Sequence, residues 1–355
     1  RPGLHPGRPL QGRRGRPGPV ALSAEPASAL VLPGRGLNQA REKQLRKNPR
    51  RSVLNTASRG TGLSAFPAKT ENTLPLPDGR TLGWAEFGDP GGKPVLYCHG
   101  FPGSRLEAEL TNTAAGRHGL RIVAPDRPGY GLSDFQPGRT LASWPADLAH
   151  LADALGIDTF AVLGISGGGP YAAACAHKLP RRLTGVGIVC GLGPTDRHLL
   201  RQMKAPARWG FGIARHAPAL ARLLFGGPVG RIMGRKPEAV LRLLSVSAPE
   251  ADRQALCRPG VRNILTASIR EAFRQGGAGA ACDLCLFARP WGFDPAQAKA
   301  PVRLWHGEQD PTVPAAMGRH LAERIPGCHG EFLAGEGHFS LPIRHMDEIL
   351  SALKT

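Results

Sequence analysis

No run of 18 apolar residues occurs anywhere in this 355-residue chain, so no membrane-spanning helix is expected. Near the start there is no short apolar core followed by a small-residue cleavage site. Secretion is therefore not indicated, and a cytoplasmic protein is expected. Cysteine is sparse: seven residues, an odd number, without the spacing of a disulfide framework. Reduced thiols, mostly in a core, are expected. Cys282 and Cys285 form a lone CxxC with no second pair to complete a zinc site, and one face of a helix accounts for it.

Acidic residues are almost missing from residues 1–70, which hold 14 Lys and Arg against Glu25 and Glu42. The formal charge of +19 is thus concentrated at the start of the chain. The basic balance says little about what the remaining residues bind, and no nucleic-acid partner is expected for the folded part. Residues 1–70 are rich in Arg, Pro and Gly and have no apolar periodicity, so a disordered extension is expected. A plain extension upstream of the true start, an organelle-targeting peptide and an arm for nucleic acid or another anionic surface compete for it. Its prolines weigh against the second reading and its lack of interleaved aromatics against the third.

What is present begins near residue 71. Two apolar stretches, 72–76 and 81–87, flank Pro77-Asp78-Gly79 and read as a hairpin. Short strand-like runs follow at 94–99, 120–125, 159–165 and 183–190, then at 302–307 and 330–333. Helical patterns separate them at 104–118, 140–155 and 167–178, and again at 314–324 and 339–353. Strands with few interior polar residues alternating with helices predict an α/β protein whose parallel sheet is covered on both faces. Residues 193–298 break the alternation: they are helical in pattern and punctuated by proline. They read as a helical cap inserted into a core of residues 71–192 and 299–355. Trp209 to Phe225 is both basic and apolar; packing onto the core is the default and a membrane-surface role the rival.

The chemistry gathers at the ends of strands. The run 160–165 leads into Gly164-Ile165-Ser166-Gly167-Gly168, followed at once by a small-residue helix. A serine between glycines at a strand-to-helix junction can stand on a sharp turn with its hydroxyl clear of the sheet. Such a hydroxyl needs an imidazole to take its proton and a carboxylate to orient that imidazole. Asp310 lies just past the strand 302–307, and His338 sits in Gly335-Glu336-Gly337-His338 after the last strand. Alternatives stay open for each. Ser166 can be a structural turn residue, Asp310 a helix cap with Asp196 as a second acid candidate, and His338 an incidental loop histidine. His306, His320, His329 and His345 read as structural. A developing oxyanion needs backbone donors. Gly167, at a helix N-terminus, supplies one N–H and Phe101, after His99-Gly100, the other; Pro102 has none. A mere tight turn at His99-Gly100 is the alternative.

The chain resembles capped single-domain proteins of the α/β-hydrolase fold over residues 71–355. The resemblance rests on His99-Gly100-Phe101-Pro102-Gly103, the loop Asp126 to Asp134, Gly164 to Gly168, His306 to Pro311 and Gly335 to His338, in that order. It implies a three-layer fold with a mostly parallel eight-stranded sheet. It also implies nucleophile Ser166, acid Asp310, base His338 and oxyanion donors Phe101 and Gly167, with no metal or cofactor. The Asp126 loop is similar to the family's structural turn and takes no catalytic role. Epoxide hydrolases and haloalkane dehalogenases of this fold use an aspartate where Ser166 stands. The epoxide-opening branch also uses cap tyrosines, whereas the tyrosines here are Tyr97, Tyr130 and Tyr171. Proline-iminopeptidase-like relatives hold a substrate amine with cap carboxylates, a role for which Glu238, Glu250 and Glu271 are candidates. The expected activity is hydrolysis of a carboxylic ester or related small acyl compound, with aminopeptidase, other acyl or C–C hydrolases and non-catalytic ligand binding as rivals.

Overall fold

A computed structural model describes residues 68–246 and 248–354. The expected extension of residues 1–70 lies almost wholly outside the described residues. Eight strands form one sheet: β1 (Lys69–Pro75), β2 (Thr81–Gly88), β3 (Lys93–Cys98), β4 (Leu120–Pro125), β5 (Phe160–Ile165), β6 (Leu183–Val189), β7 (Val302–Gly307) and β8 (His329–Leu333). Their spatial order is β1-β2-β4-β3-β5-β6-β7-β8. The first two pairings are antiparallel and the rest parallel. The hairpin therefore forms the antiparallel edge that its Asp-Gly turn predicts.

Helices cover both faces because strand residues alternate between them. Leu96, Val162 and Val186 pack with Leu148 and Leu151 of α2 (Trp144–Ala154) and with Tyr171 and Ala172 of α3 (Gly169–Lys178). Val95, Ala161 and Leu163 face the other way, onto Ala115 of α1 (Asn112–His118) and C-terminal residues such as Ile349 and Leu350. Three layers result, with every residue of β5 buried in the middle one.

Some helical boundaries differ from expectation. Residues 105–111 form a 3-10 turn before α1, because Arg105 and Glu107 turn inward to buried partners. Leu141–Ser143 is also 3-10, and the α-helix begins only at Trp144, with Pro145 in its first turn. A proline there lacks an N–H that the first turn would leave unpaired in any case. Asp126, in the turn that the resemblance reads as structural, accepts from Leu132 N and from the backbone and guanidinium of Arg105.

Between β6 and β7 the chain forms eight α-helices and one 3-10 turn (Pro295–Gln297) among the described residues. The α-helices are α4 (Arg197–Leu200), α5 (Ala205–His216), α6 (Pro218–Gly226), α7 (Pro228–Arg235), α8 (Pro237–Val246), α9 (Glu250–Cys257), α10 (Pro259–Ala272) and α11 (Ala278–Phe287). The closing part of the chain adds α12 (Ala315–Arg324), α13 (Ser340–Arg344) and α14 (Met346–Ala352), so the expected last helix is broken at His345. Cys282 and Cys285 lie on α11 as free thiols.

Between these two cysteines, Asp283 ties the insertion to the sheet. Its side chain is fully buried; Oδ2 accepts from Arg127 Nε at 2.9 Å and from Tyr130 OH at 2.8 Å. Oδ1 meets Arg139 at 2.6 Å and accepts from Tyr171 OH. Burial alone would raise its carboxyl, but Arg139 and Arg127 overcome that and hold it down at about 2. Its stabilising contribution is thus present above the ordinary aspartate range and lost only as pH falls towards 2. Asp283→Ala leaves two buried guanidinium groups without their partner, a loss of about 3–5 kcal/mol. Thermal unfolding followed by circular dichroism should drop by roughly 5–15 °C; an unchanged midpoint would refute this role.

Candidate active site

The turn after β5 is crowded. Ser166 has φ +53°, a left-handed conformation that costs a non-glycine residue on the order of 1–3 kcal/mol. A Cβ at position 168 would lie 2.0 Å from the carbonyl oxygen of Cys98, so only glycine lets the turn close against the end of β3. The packing that holds Ser166 in this conformation is therefore backbone against backbone. Its side chain stands at the C-terminal end of this central strand and turns towards the loop that carries His338.

There the Ser166 Oγ lies 2.9 Å from His338 Nε2. The other ring nitrogen, Nδ1, lies 2.7 Å from Asp310 Oδ2. A carboxylate only accepts, so Nδ1 is assigned the proton and Nε2 faces the serine as an acceptor. Asp310 and His338 are both buried. Burial works against the charged form of His338, but the Asp310 charge and hydrogen bond outweigh it and hold the imidazole above the ordinary histidine value. Burial likewise raises the Asp310 carboxyl, yet the neighbouring His338 and His306 bring it well below its usual range. The capping alternative for Asp310 coexists with the contact to His338. Its Oδ1 accepts from Thr312 N and Val313 N, both at 2.8 Å, while Oδ2 faces the imidazole. Asp196, the second acid candidate, is exposed and borders a separate depression with Arg215, Trp291 and His320.

Phe101 and Gly167 come together beside the serine: a Cβ at position 167 would lie 2.5 Å from Phe101 Cβ and 3.2 Å from Phe101 N. Phe101 lines the cavity over Ser166. Cys190 adds a third ligand-type atom within 4.8 Å of those of Asp310 and His338. In this group the Asp310 and His338 atoms already bond to each other, and burial pushes the Cys190 thiol well above its ordinary value.

Three supporting residues were not visible in the sequence. Asp252, on α9 and fully buried, accepts from three successive backbone N–H groups of the His338 loop. Oδ2 takes His338 N at 3.0 Å, and Oδ1 takes Phe339 N at 3.0 Å and Ser340 N at 2.8 Å. Gly337 permits this approach, since a Cβ there would sit 2.5 Å from the carboxyl. Glu107 Oε1 accepts from Gly100 N and Tyr97 OH, both at 2.8 Å, and so steadies the loop that carries Phe101. Burial lifts its carboxyl above the ordinary glutamate value. Arg127, held by Asp283, donates to the carbonyls of His99 and Gly100 in that loop. Asp252 meets its loop 86 residues away and Arg127 meets Asp283 156 away, and a helical Asp looks the same whether it faces water or a distant loop.

A cavity of about 190 Å³ opens over Ser166 and His338. Its walls are largely apolar, with Leu110, Met233, Leu241, Leu265, Ile269 and Phe339 among them, and Glu107 is its one acidic side chain. The carboxylates considered for an amine site turn elsewhere. Glu238 pairs with Arg270, Glu250 with Arg253, and Glu271 with Arg105 and Arg274. None of the three lines the cavity.

Known proteins resemble this chain in sequence and in fold. A non-heme chloroperoxidase from Streptomyces lividans is 33% identical over 125 residues, which cover 34% of this chain and 45% of that protein. A probable proline iminopeptidase from Streptomyces coelicolor is 28% identical over 277 residues, 75% of this chain and 68% of its own length. The chain thus spans less than half of the first relative and about two thirds of the second. The crystal structure of a hydrolase from Pseudomonas aeruginosa superposes with a TM-score of 0.60 at 18% identity, over 80% of this chain and 97% of that one. Residues 93–343 match the alpha/beta hydrolase fold family, and with the sheet order described above the chain belongs to that family.

Proposed function

We propose that this protein is a serine hydrolase that cleaves a carboxylic ester or a related small acyl compound. The observation that carries the reading is the continuous hydrogen-bonded line from Ser166 through His338 to Asp310 beneath an apolar cavity. His338 Nε2 takes the Ser166 proton as Oγ attacks the substrate carbonyl. The N–H groups of Phe101 and Gly167 hold the oxyanion, and Asp310 keeps the ring oriented and stabilises its charged form. The imidazolium then protonates the leaving alkoxide. Water, deprotonated by the same nitrogen, releases the acid from the acyl-enzyme. The helices of residues 193–298 act as a cap that shapes the acyl pocket. No metal or organic cofactor takes part.

An aminopeptidase is the second reading, favoured by the iminopeptidase relative and by Glu107 in the cavity wall. Glu107 Oε1 is already engaged by Gly100 N and Tyr97 OH, and the other candidate carboxylates, Glu238, Glu250 and Glu271, pair with arginines outside the cavity. The ester reading is therefore preferred. Chromogenic esters, amides and amino-acid arylamides assayed on wild type and Ser166→Ala should give turnover of esters only, and none in the variant. Preferential cleavage of arylamides would move the assignment to the second reading. Turnover surviving in Ser166→Ala would remove both.

The pH dependence carries a sign. The reaction needs neutral His338, so kcat/KM should rise through a pKa above that of an ordinary histidine, about 6.5. Asp310→Asn should lower that pKa and cut kcat by about 10³–10⁴-fold. A profile flat from pH 5 to 9 in wild type, or unmoved by the substitution, would contradict the assignment.

Asp252 is a positioning residue in this scheme, because it fixes the backbone on which His338 stands. Asp252→Asn replaces one accepting oxygen by a donor facing N–H groups. The expected result is a kcat lower by about ten- to a hundredfold with KM little changed. Asp252→Glu should restore part of the loss. A rise in KM at constant kcat would instead make Asp252 a substrate contact.

A further inference from the structure

Among the described residues, eight large hydrophobic side chains are exposed, and seven of them fall between residues 209 and 246. They are Trp209 on α5, Leu220 and Leu223 on α6, Ile232 on α7, and Leu243, Leu244 and Val246 on α8. Trp209 keeps 70% of its surface exposed and Val246 75%. Packing thus takes only part of the basic, apolar stretch. Phe211, Ala214 and Ala221 are buried, whereas their neighbours Trp209, Leu220 and Leu223 face outward. These short helices pack consecutively, α5 on α6, α6 on α7 and α7 on α8, so the outward side chains belong to one contiguous subregion.

The charge of this subregion is as one-sided as its exposure. Residues 205–246 contain seven Lys and Arg and a single acid, Glu238, which is itself paired with Arg270. All seven basic residues are exposed. A stable soluble surface mixes both signs and scatters its apolar groups, so a concentration of both exposed apolar side chains and unbalanced positive charge calls for a partner. Leu223 borders a groove with Phe135 and Trp291, whereas Trp209, Leu220, Ile232, Leu243 and Val246 are spread over four helices with Arg or Lys between them. Long basic side chains can lie along such a surface and reach anionic headgroups while the apolar groups enter the acyl boundary. Helix α8 also links this face to the cavity. Val240, Leu241 and Leu244 line the space over Ser166, and Leu243 and Val246 point to solvent.

We propose that the outer face of α5–α8 is a docking surface for an anionic lipid bilayer, which sets the helical wall of the Ser166 cavity against the membrane interface. The proposal rests on exposure and charge and holds whether or not Ser166 is a nucleophile. It is tested with the full chain by sedimentation with vesicles of phosphatidylcholine alone and of phosphatidylcholine and phosphatidylglycerol in equal parts. One variant carries Arg208→Glu, Arg231→Glu and Arg242→Glu, and the other Trp209→Ser, Leu223→Ser and Val246→Ser. All six positions are exposed, and an unchanged unfolding temperature verifies each fold.

Wild type should bind the anionic vesicles and release them as salt is raised. The charge variant should bind at least about a hundredfold more weakly, and the apolar variant at least about tenfold. Failure of wild type to bind anionic vesicles would overturn the proposal, as would equal binding to both vesicle types. Wild-type affinity in both variants would overturn it too, since binding would then come from elsewhere in the chain, residues 1–67 included. Loss in the charge variant alone would also overturn it, because a purely electrostatic patch suits an acidic protein as well as a membrane.

Discussion

A carboxylate taken out of water must find several donors at once, and the inserted helices carry two such groups into the body of this protein. Asp283 gathers Arg127, Arg139, Tyr130 and Tyr171. Asp252 gathers three backbone N–H groups of the His338 loop. Neither group would keep its partners if the insertion moved away from the sheet. The same bonds brace the two loops beside Ser166. Asp283 works through Arg127 on the carbonyls of His99 and Gly100, and Asp252 works directly on the loop of His338. In the proposed reaction, the insertion would then contribute to the geometry of the reacting atoms as well as to the walls of the pocket.

Backbone contact sets the third corner. The turn at Ser166 holds a positive φ because the glycines around it let β5, α3 and the end of β3 approach without side chains between them. The fold thereby offers a hydroxyl at the end of a central strand, an imidazole from one loop and a backbone N–H from another. Burial then acts unevenly on the groups present. It raises Glu107 and Cys190 towards their neutral forms, whereas Asp310, with His338 and His306 beside it, stays well below the usual carboxylate range.

Much of this arrangement was legible in the sequence because it is local. Alternating apolar runs and helices mark the sheet, the Asp78-Gly79 turn marks the antiparallel hairpin, and Gly164 to Gly168 marks the turn at Ser166. Strand ends also point to Asp310 and His338 as neighbours of that turn. What the sequence hides depends on contacts across long separations. Asp252 meets His338 across 86 residues and Arg127 meets Asp283 across 156, and nothing in either helix distinguishes these acids from surface ones. The 3-10 turn at residues 105–111 is hidden for the same reason, since Arg105 and Glu107 bend inward to partners that periodicity does not register. The split fate of the stretch from Trp209 to Phe225 is a matter of which helical face meets the core, and proline-punctuated short helices leave that face undetermined.

The central claim is that Ser166 carries a covalent acyl group during turnover. Rapid mixing with a p-nitrophenyl ester measures it directly. The account predicts a pre-steady-state burst of about one equivalent of p-nitrophenol per protein chain, followed by slower steady release, with the burst absent in Ser166→Ala. Product release that is linear from the first milliseconds would not sustain the claim even with slow deacylation established independently, and a burst of undiminished size in Ser166→Ala would contradict it outright.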